Sequence, residues 1–236
     1  MQPDRISPNA RQTWVVGSFG SFGDLKNFPA TALNEACDMV EIRLDLLGDH
    51  AADRSAWEHV SKLPLLFTAR RIEEGGGLPL DARCRMEMLR QVLDDAAWVD
   101  IEVASIPEMQ PILDEISSRD IPWLASFHDF DGLPETAVLE QAAAAACAAG
   151  ASIFKVAAKL NSSADLARLA EFQLSDQGIP LATMGMGALA PVSRLLCAQC
   201  GSRLNYGYLG QSPTAPGQWD SHLLKLAIGR LISIRP

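Results

Sequence analysis

Lys155 lies in Ser152-Ile-Phe-Lys-Val-Ala-Ala158, a run that is otherwise apolar. Lysine is almost never buried without a partner, and desolvation disfavours its charged form, so an amine held there is nucleophilic. The pattern is that of a lysine able to form a Schiff base with a carbonyl compound. Lys159, just beyond the same run, is the alternative: a second candidate amine, or a surface lysine whose stem packs on apolar neighbours. Upstream, Ala125-Ser-Phe-His-Asp-Phe130 brings His128 to the end of another apolar run. An imidazole titrates near neutrality and suits general acid and base work. His50, His59 and His222 stand among polar neighbours and read as surface residues.

The segment Val40-Glu-Ile-Arg-Leu-Asp-Leu46 alternates charged and apolar residues, so a strand here puts Glu41, Arg43 and Asp45 on one face. That face is either solvated or turned into a barrel, where charge needs a partner or a ligand. Leu65-Leu-Phe-Thr-Ala-Arg-Arg-Ile-Glu-Glu-Gly-Gly-Gly77 ends an apolar run on Arg70, whose planar fork suits a carboxylate. The glycines after Glu74 fit a flexible loop over a site; alternatively, Arg70, Arg71, Glu73 and Glu74 pair among themselves in solvent. Arg194 follows a seventh apolar run, and Thr214 and Gln218 follow an eighth. Cys197 and Cys200 form a CxxC without a second pair or a histidine at metal spacing, which reads as two small buried side chains. Five cysteines, an odd number, argue for reduced thiols.

Eight short apolar or alternating runs stand out: Trp14–Phe19, Met39–Leu44, Leu65–Ala69, Trp98–Val103, Trp123–Phe127, Ile153–Ala157, Leu181–Met184 and Leu204–Tyr208. Helical segments separate them, notably Asp81–Asp95, Pro107–Ser118, Pro134–Ala149 and Ser162–Leu174, with a last one near Asp220–Ile232. Strands alternating with helices pair in parallel through right-handed crossovers, and eight such units close an α/β (β/α)8 TIM barrel. Sites in such barrels gather at the C-terminal ends of the strands, and the loops after strands seven and eight commonly bind anions. The rival, an open doubly wound sheet, lacks its GxGxxG signature, because Gly17-Ser-Phe-Gly-Ser-Phe-Gly has the wrong spacing. The expected organisation is a loose N-terminal tail over 1–12 and one catalytic domain over 13–236.

With 236 residues, 48% of them hydrophobic, the chain has the size of one such barrel. Twenty basic against twenty-nine acidic residues leave a net charge of −9, which repels polyanions and lacks the footprint of a nucleic-acid binder. The polar start with two prolines does not resemble a signal peptide, and the run Ala142–Ala149 is too short to span a bilayer. A cytoplasmic protein with neither nucleic-acid nor membrane partners is expected.

Taken together, Glu41-x-Arg43-x-Asp45, Phe67-Thr-x-Arg70 with Glu74-Gly-Gly, Ser126-x-His128-Asp-Phe, Lys155-x-Ala157, Met186-Gly with Ser193-Arg194-Leu, and Ala215-Pro-Gly-Gln218 resemble the type I 3-dehydroquinate dehydratases, from about Trp14 to the end. The resemblance implies that Lys155 forms an imine with the C3 ketone of 3-dehydroquinate. His128 would take the C2 proton and return it to the leaving C1 hydroxyl, with Glu74 orienting the imidazole. It further implies that Glu41 and Arg43 bind ring hydroxyls, and that Arg70, Arg194, Gln218 and Ser18 hold the remaining polar groups, Arg194 taking the carboxylate. The product would be 3-dehydroshikimate, made without metal or organic cofactor by a homodimer, in the shikimate route or in quinate breakdown. Thr214 stands where the family usually has serine and keeps the hydroxyl. Ala190-Pro191 replaces a glycine and its successor and is expected to stiffen the loop carrying Arg194; Cys200 replaces a phenylalanine. Ser21 competes with Ser18 for the first position. A Schiff-base aldolase on a similar barrel, or a silent barrel that binds an anionic ring compound because Arg194 is misplaced, are the other readings.

Overall fold

A computed structural model describes residues 12–232 and Ile234, so the expected tail lies, apart from Gln12, outside the described residues. Eight parallel strands form the barrel: β1 (Trp14–Phe19), β2 (Met39–Arg43), β3 (Leu65–Thr68), β4 (Trp98–Glu102), β5 (Trp123–Asp129), β6 (Ile153–Lys159), β7 (Leu181–Met186) and β8 (Leu204–Leu209). Their order, β7-β6-β5-β4-β3-β2-β1-β8, is that of a (β/α)8 TIM barrel. Around it run α1 (Phe22–Asn27), α2 (Leu33–Ala36), α3 (Leu44–Leu47), α4 (Ala82–Val92), α5 (Gln110–Ser118), α6 (Thr136–Ala148), α7 (Ser163–Leu174), α8 (Ala190–Gln199) and α9 (Ser221–Ile228).

Local chemistry sets the helix ends. Asp81 caps α4, Asp220 caps α9, and Ser162 forms a capping box with Asp165 at the start of α7. Gly150, at φ +80°, stops α6, and the Ala151 N–H closes back on the Ala146 carbonyl. Three strands run two residues beyond the sequence reading, β5 to Asp129, β6 to Lys159 and β7 to Met186, because the parallel ladder between them continues; the other strand ends differ by one residue at most. Asp45 is a correction. The chain leaves β2 at Arg43 and turns into α3, so Asp45 is on a helical turn, from which it still reaches back to Arg43.

Alternation along each strand divides the core into two. Outward residues such as Val40, Ile42, Phe67, Val99, Ile101, Phe154 and Val156 join the helices in the larger cluster. On β2–β5 the inward residues change character along the barrel axis, from apolar to polar: Met39 then Glu41 and Arg43, Leu66 then Thr68 and Arg70, Trp98 then Asp100 and Glu102, Leu124 then Ser126 and His128; on β7 they stay apolar, with Ala182, Met184 and Met186. The N-terminal half of the barrel is therefore a packed apolar plug, and the C-terminal half a charged layer resting on it.

The β7–β8 seam opens on one backbone bond, the Arg203 N–H to the Leu181 carbonyl at 2.8 Å, and continues by side chains. Ser202 Oγ accepts from the Thr183 N–H at 3.0 Å, and Ser193 Oγ, on α8, accepts from the Gly185 N–H at 2.9 Å. Both strands are buried here, so these amides need partners from somewhere. Ser193→Ala should leave the Gly185 amide unpaired and reduce stability by about 1–3 kcal/mol, read from urea unfolding; an unchanged midpoint would mean that the seam does not depend on this hydroxyl.

Candidate active site

The charged layer is organised on β3 and β4. Arg70 fits its fork onto Asp100, Nη1 to Oδ1 at 3.0 Å and Nη2 to Oδ2 at 2.7 Å, and Nη1 also reaches Glu102 Oε1 at 2.9 Å and Ser126 Oγ at 2.6 Å. Glu102 is held in turn by Arg85, a buried residue of α4 whose guanidinium also donates to the Ala69 carbonyl and Ser105 Oγ. Arg70 is thus an internal tie. Its guanidinium is committed to two carboxylates while it lines the cavity, where the resemblance implied that it holds polar groups of the substrate.

Lys155 reaches Asp100 Oδ2 at 3.0 Å and lies 4.4 Å from the centre of the Tyr206 ring. The residue is 4% exposed, and burial lowers the pKa of its amine against the pull of Asp100. Burial also opposes ionisation of Asp100, but the charges of Arg70 and Lys155 outweigh it and keep that carboxyl far below its ordinary range. Lys159 points to solvent at the end of the same strand.

Across the cavity, Glu74 Oε2 accepts from the His128 backbone N–H and pairs with Nδ1, both at 2.9 Å. Burial pushes the Glu74 carboxyl up to about 7. Burial, with the charges of Arg70 and Lys155, holds the imidazole well below its usual value, so it is neutral near pH 7 and leaves Nε2 as a base. The loop that carries Glu74 is tied down, contrary to the expectation of a flexible cover. Arg43 donates to the Gly75 carbonyl, Asp45 accepts from the Gly77 amide, and Glu102 accepts from the Arg71 amide. Gly75 ends the short helical turn at φ +88°, and a Cβ on Gly76 would lie 2.5 Å from the Arg70 carbonyl oxygen. Close packing, not mobility, calls for these glycines.

Glu41 accepts from Ser18 Oγ at 2.5 Å and Thr68 Oγ1 at 2.9 Å. Ser21 instead caps α1, so Ser18 is the serine inside the barrel. Arg43 is gripped by Asp45 in a two-point pair. After β8, Gln218 Oε1 accepts from both the backbone N–H and the hydroxyl of Thr214 at 2.8 Å, which turns its amide NH2 outward as a donor. Arg194 differs from the other arginines. Nη1 donates to the Tyr206 carbonyl at 2.7 Å, Nε has no partner, and burial lowers the pKa to about 10. Pro191 sits in the first turn of α8, where proline is well tolerated, and Arg194 lines the cavity from that helix. Cys197 and Cys200 are buried at the other end of α8, and burial pushes the Cys197 thiol up to about 12.

Lys155, His128, Glu74, Glu41, Arg43, Arg70, Arg194, Thr214 and Gln218 therefore line one cavity, while Ser18 lies behind it on Glu41. The sequence reading passes over Asp100, Glu102 and Tyr206, although the two-residue period that exposed Glu41 and Arg43 marks Asp100 and Glu102 on β4 as well. Arg85 has no such signal, being one arginine of an amphipathic helix. His59 is also a departure from a surface role: half-buried, it lies 2.9 Å from the Leu25 carbonyl oxygen. Chemically, the cavity combines a buried amine, an oriented neutral base and a guanidinium without a carboxylate partner. That set can bind an anion, add an amine to a carbonyl and move a proton beside it.

Removing one member of a buried ion cluster leaves the others uncompensated. Asp100→Asn should therefore lower stability by about 3–5 kcal/mol in urea unfolding; a loss below about 1 kcal/mol would show that Arg70 and Lys155 do not rely on it.

Residues 26–230 match the family model described as type I 3-dehydroquinase. A curated 3-dehydroquinate dehydratase of Methanothrix thermoacetophila is 35% identical over 214 residues, covering 91% of this chain and 90% of the relative. Another, from Haloquadratum walsbyi, is 34% identical over 214 residues, covering 85% and 87%. The crystal structure of 3-dehydroquinate dehydratase from Geobacillus kaustophilus superposes with a TM-score of 0.81 at 24% identity over 96% of this chain and 97% of that one, a likeness of fold. On the extent of the family match and the identity to these relatives, the chain belongs to the type I 3-dehydroquinase family.

Proposed function

We propose that this chain dehydrates 3-dehydroquinate to 3-dehydroshikimate through an imine on Lys155. The observation that carries the reading is the buried Lys155 amine sharing one cavity with the Glu74-held imidazole of His128. His128 takes a proton from the Lys155 ammonium, the freed amine adds to the C3 ketone, and loss of water, which carries that proton away, gives a protonated imine. That group withdraws electrons from C2 and acidifies its proton. His128 Nε2 takes the proton, the C2 electron pair passes into an enamine, and the C1 hydroxyl leaves with a proton from the same imidazole. Water then hydrolyses the imine, freeing product and amine. One molecule of water is lost overall.

Arg194 takes the substrate carboxylate. It is a buried cation without a carboxylate partner, and a two-point pair with an anion relieves its desolvation. Arg43, Glu41 and the Gln218 amide hold ring hydroxyls; Ser18 and Thr214 fix Glu41 and Gln218 in turn. The same reading makes the working unit a cytoplasmic homodimer in the shikimate route or in quinate breakdown, with light scattering and cell fractionation as the tests.

Borohydride added during turnover should reduce the imine and leave a stable adduct on the Lys155 peptide in mass spectrometry. Lys155→Ala should lose both the adduct and the absorbance of the conjugated product. An active enzyme without an adduct would rule out the imine. The pH profile follows from Glu74. Its carboxylate, present above about 7, accepts the Nδ1 hydrogen and keeps Nε2 basic, so kcat/KM should fall as pH drops through about 7. Glu74→Gln should abolish that acid limb and lower the plateau by about a hundredfold; an unchanged limb would assign it to another group.

A further inference from the structure

Tyr206 is a polar group in the cavity that the chemistry above leaves unused. It is 5% exposed and lies among the inward residues of the barrel, its ring beneath the Lys155 amine at 4.4 Å. Its hydroxyl is buried without a hydrogen-bond partner. An unmade bond at a buried hydroxyl is unfavourable, and a phenylalanine would fill the same room without it. Among the described residues the other unpartnered buried side-chain atoms are on Trp57, Gln173 and Arg194. Trp57 packs in the outer core and Gln173 is on α7, whereas Arg194 and Tyr206 line one cavity, which points to a ligand as the missing partner. Burial, helped by the charges of Glu41 and Asp100, raises the phenol well above its ordinary value, so the group is a donor throughout the working range.

We propose that Tyr206 is a further catalytic residue whose hydroxyl donates a hydrogen bond to the oxygen that leaves the carbon bonded to Lys155 and to the water oxygen that later replaces it. The inference rests on the imine reading. When the amine adds to the ketone, the C=O electron pair moves to oxygen, and His128 carries the proton lost by nitrogen to that oxygen, giving a carbinolamine. Its collapse makes C=N from the nitrogen pair and breaks C–O; the departing hydroxyl takes back from His128 the proton that the imidazole removed from the Lys155 ammonium to free the amine, and becomes water. Hydrolysis reverses each step. The oxygen is two bonds from Nζ, on the amine that the Tyr206 ring underlies, and a fixed donor there stabilises the charge it gains in both directions.

The test is Tyr206→Phe, which keeps the ring and removes the hydroxyl. Two rates are read: dehydration, and incorporation of oxygen-18 from water into the ketone of 3-dehydroshikimate, which reports imine formation and hydrolysis alone. Both should fall by about tenfold or more, with KM changed by less than about twofold and the melting temperature no lower than that of wild type. Exchange within about twofold of wild type, or a loss of affinity with exchange unchanged, would overturn the role of Tyr206. A wild-type protein that neither exchanges oxygen nor dehydrates would instead overturn the proposed function.

Discussion

Asp100 accepts from Arg70, Ser126 and Lys155 together, and the order of the charged layer depends on it. A carboxylate this deep in a barrel is tolerable only if cations surround it. Arg70 supplies one and Lys155 another, while Glu102 secures Arg70 and is itself secured by Arg85 from the helix layer. The chain of contacts therefore runs from the surface helix α4, through the strands, to the Lys155 amine. It holds Lys155 in place while burial disfavours its charge, two demands that a single ion pair meets poorly.

Arg194 answers the opposite requirement. Among the described residues, five buried basic side chains, Arg43, Arg70, Arg85, Lys155 and Arg194, accompany four buried carboxylates, Glu41, Asp45, Asp100 and Glu102. The cation in excess is Arg194, whose bonds go to a backbone carbonyl and weak acceptors. It occupies the β7–β8 seam, where Ser193 and Ser202 replace ladder bonds and leave room for a helix side chain to enter. One local departure from regular pairing thus closes the barrel and brings a buried guanidinium to the cavity. A protein with a net charge of −9 can in this way present a cationic interior to a small acid.

Much of this was legible in the chain itself, because strand and helix periods are local. The two-residue alternation in β2, the apolar run around Lys155, the glycines after Glu74 and the order of eight runs each depend on neighbours within a few residues. They fixed the parallel barrel, the reactive end of each strand, and Lys155, His128 and Arg194 as residues of interest. The glycine-rich loop was located correctly, but its tethering was not, since its anchors lie elsewhere in the chain, Asp45 on the helical turn after β2 and Glu102 on β4.

What only the tertiary structure decided is who partners whom. Arg70, Arg43 and Arg194 look alike in sequence, yet the first two are engaged by carboxylates and the third is not. Asp100 lies 55 residues from Lys155 and Arg85 lies 17 from Glu102, separations over which no period or propensity carries information. The Tyr206 hydroxyl is a vacancy visible only once every neighbour is placed. The sequence by itself determined which chemical groups face inward; the barrel's closure determined which of them are already neutralised and which remain for a ligand, because desolvation and Coulomb energy depend on distance in space.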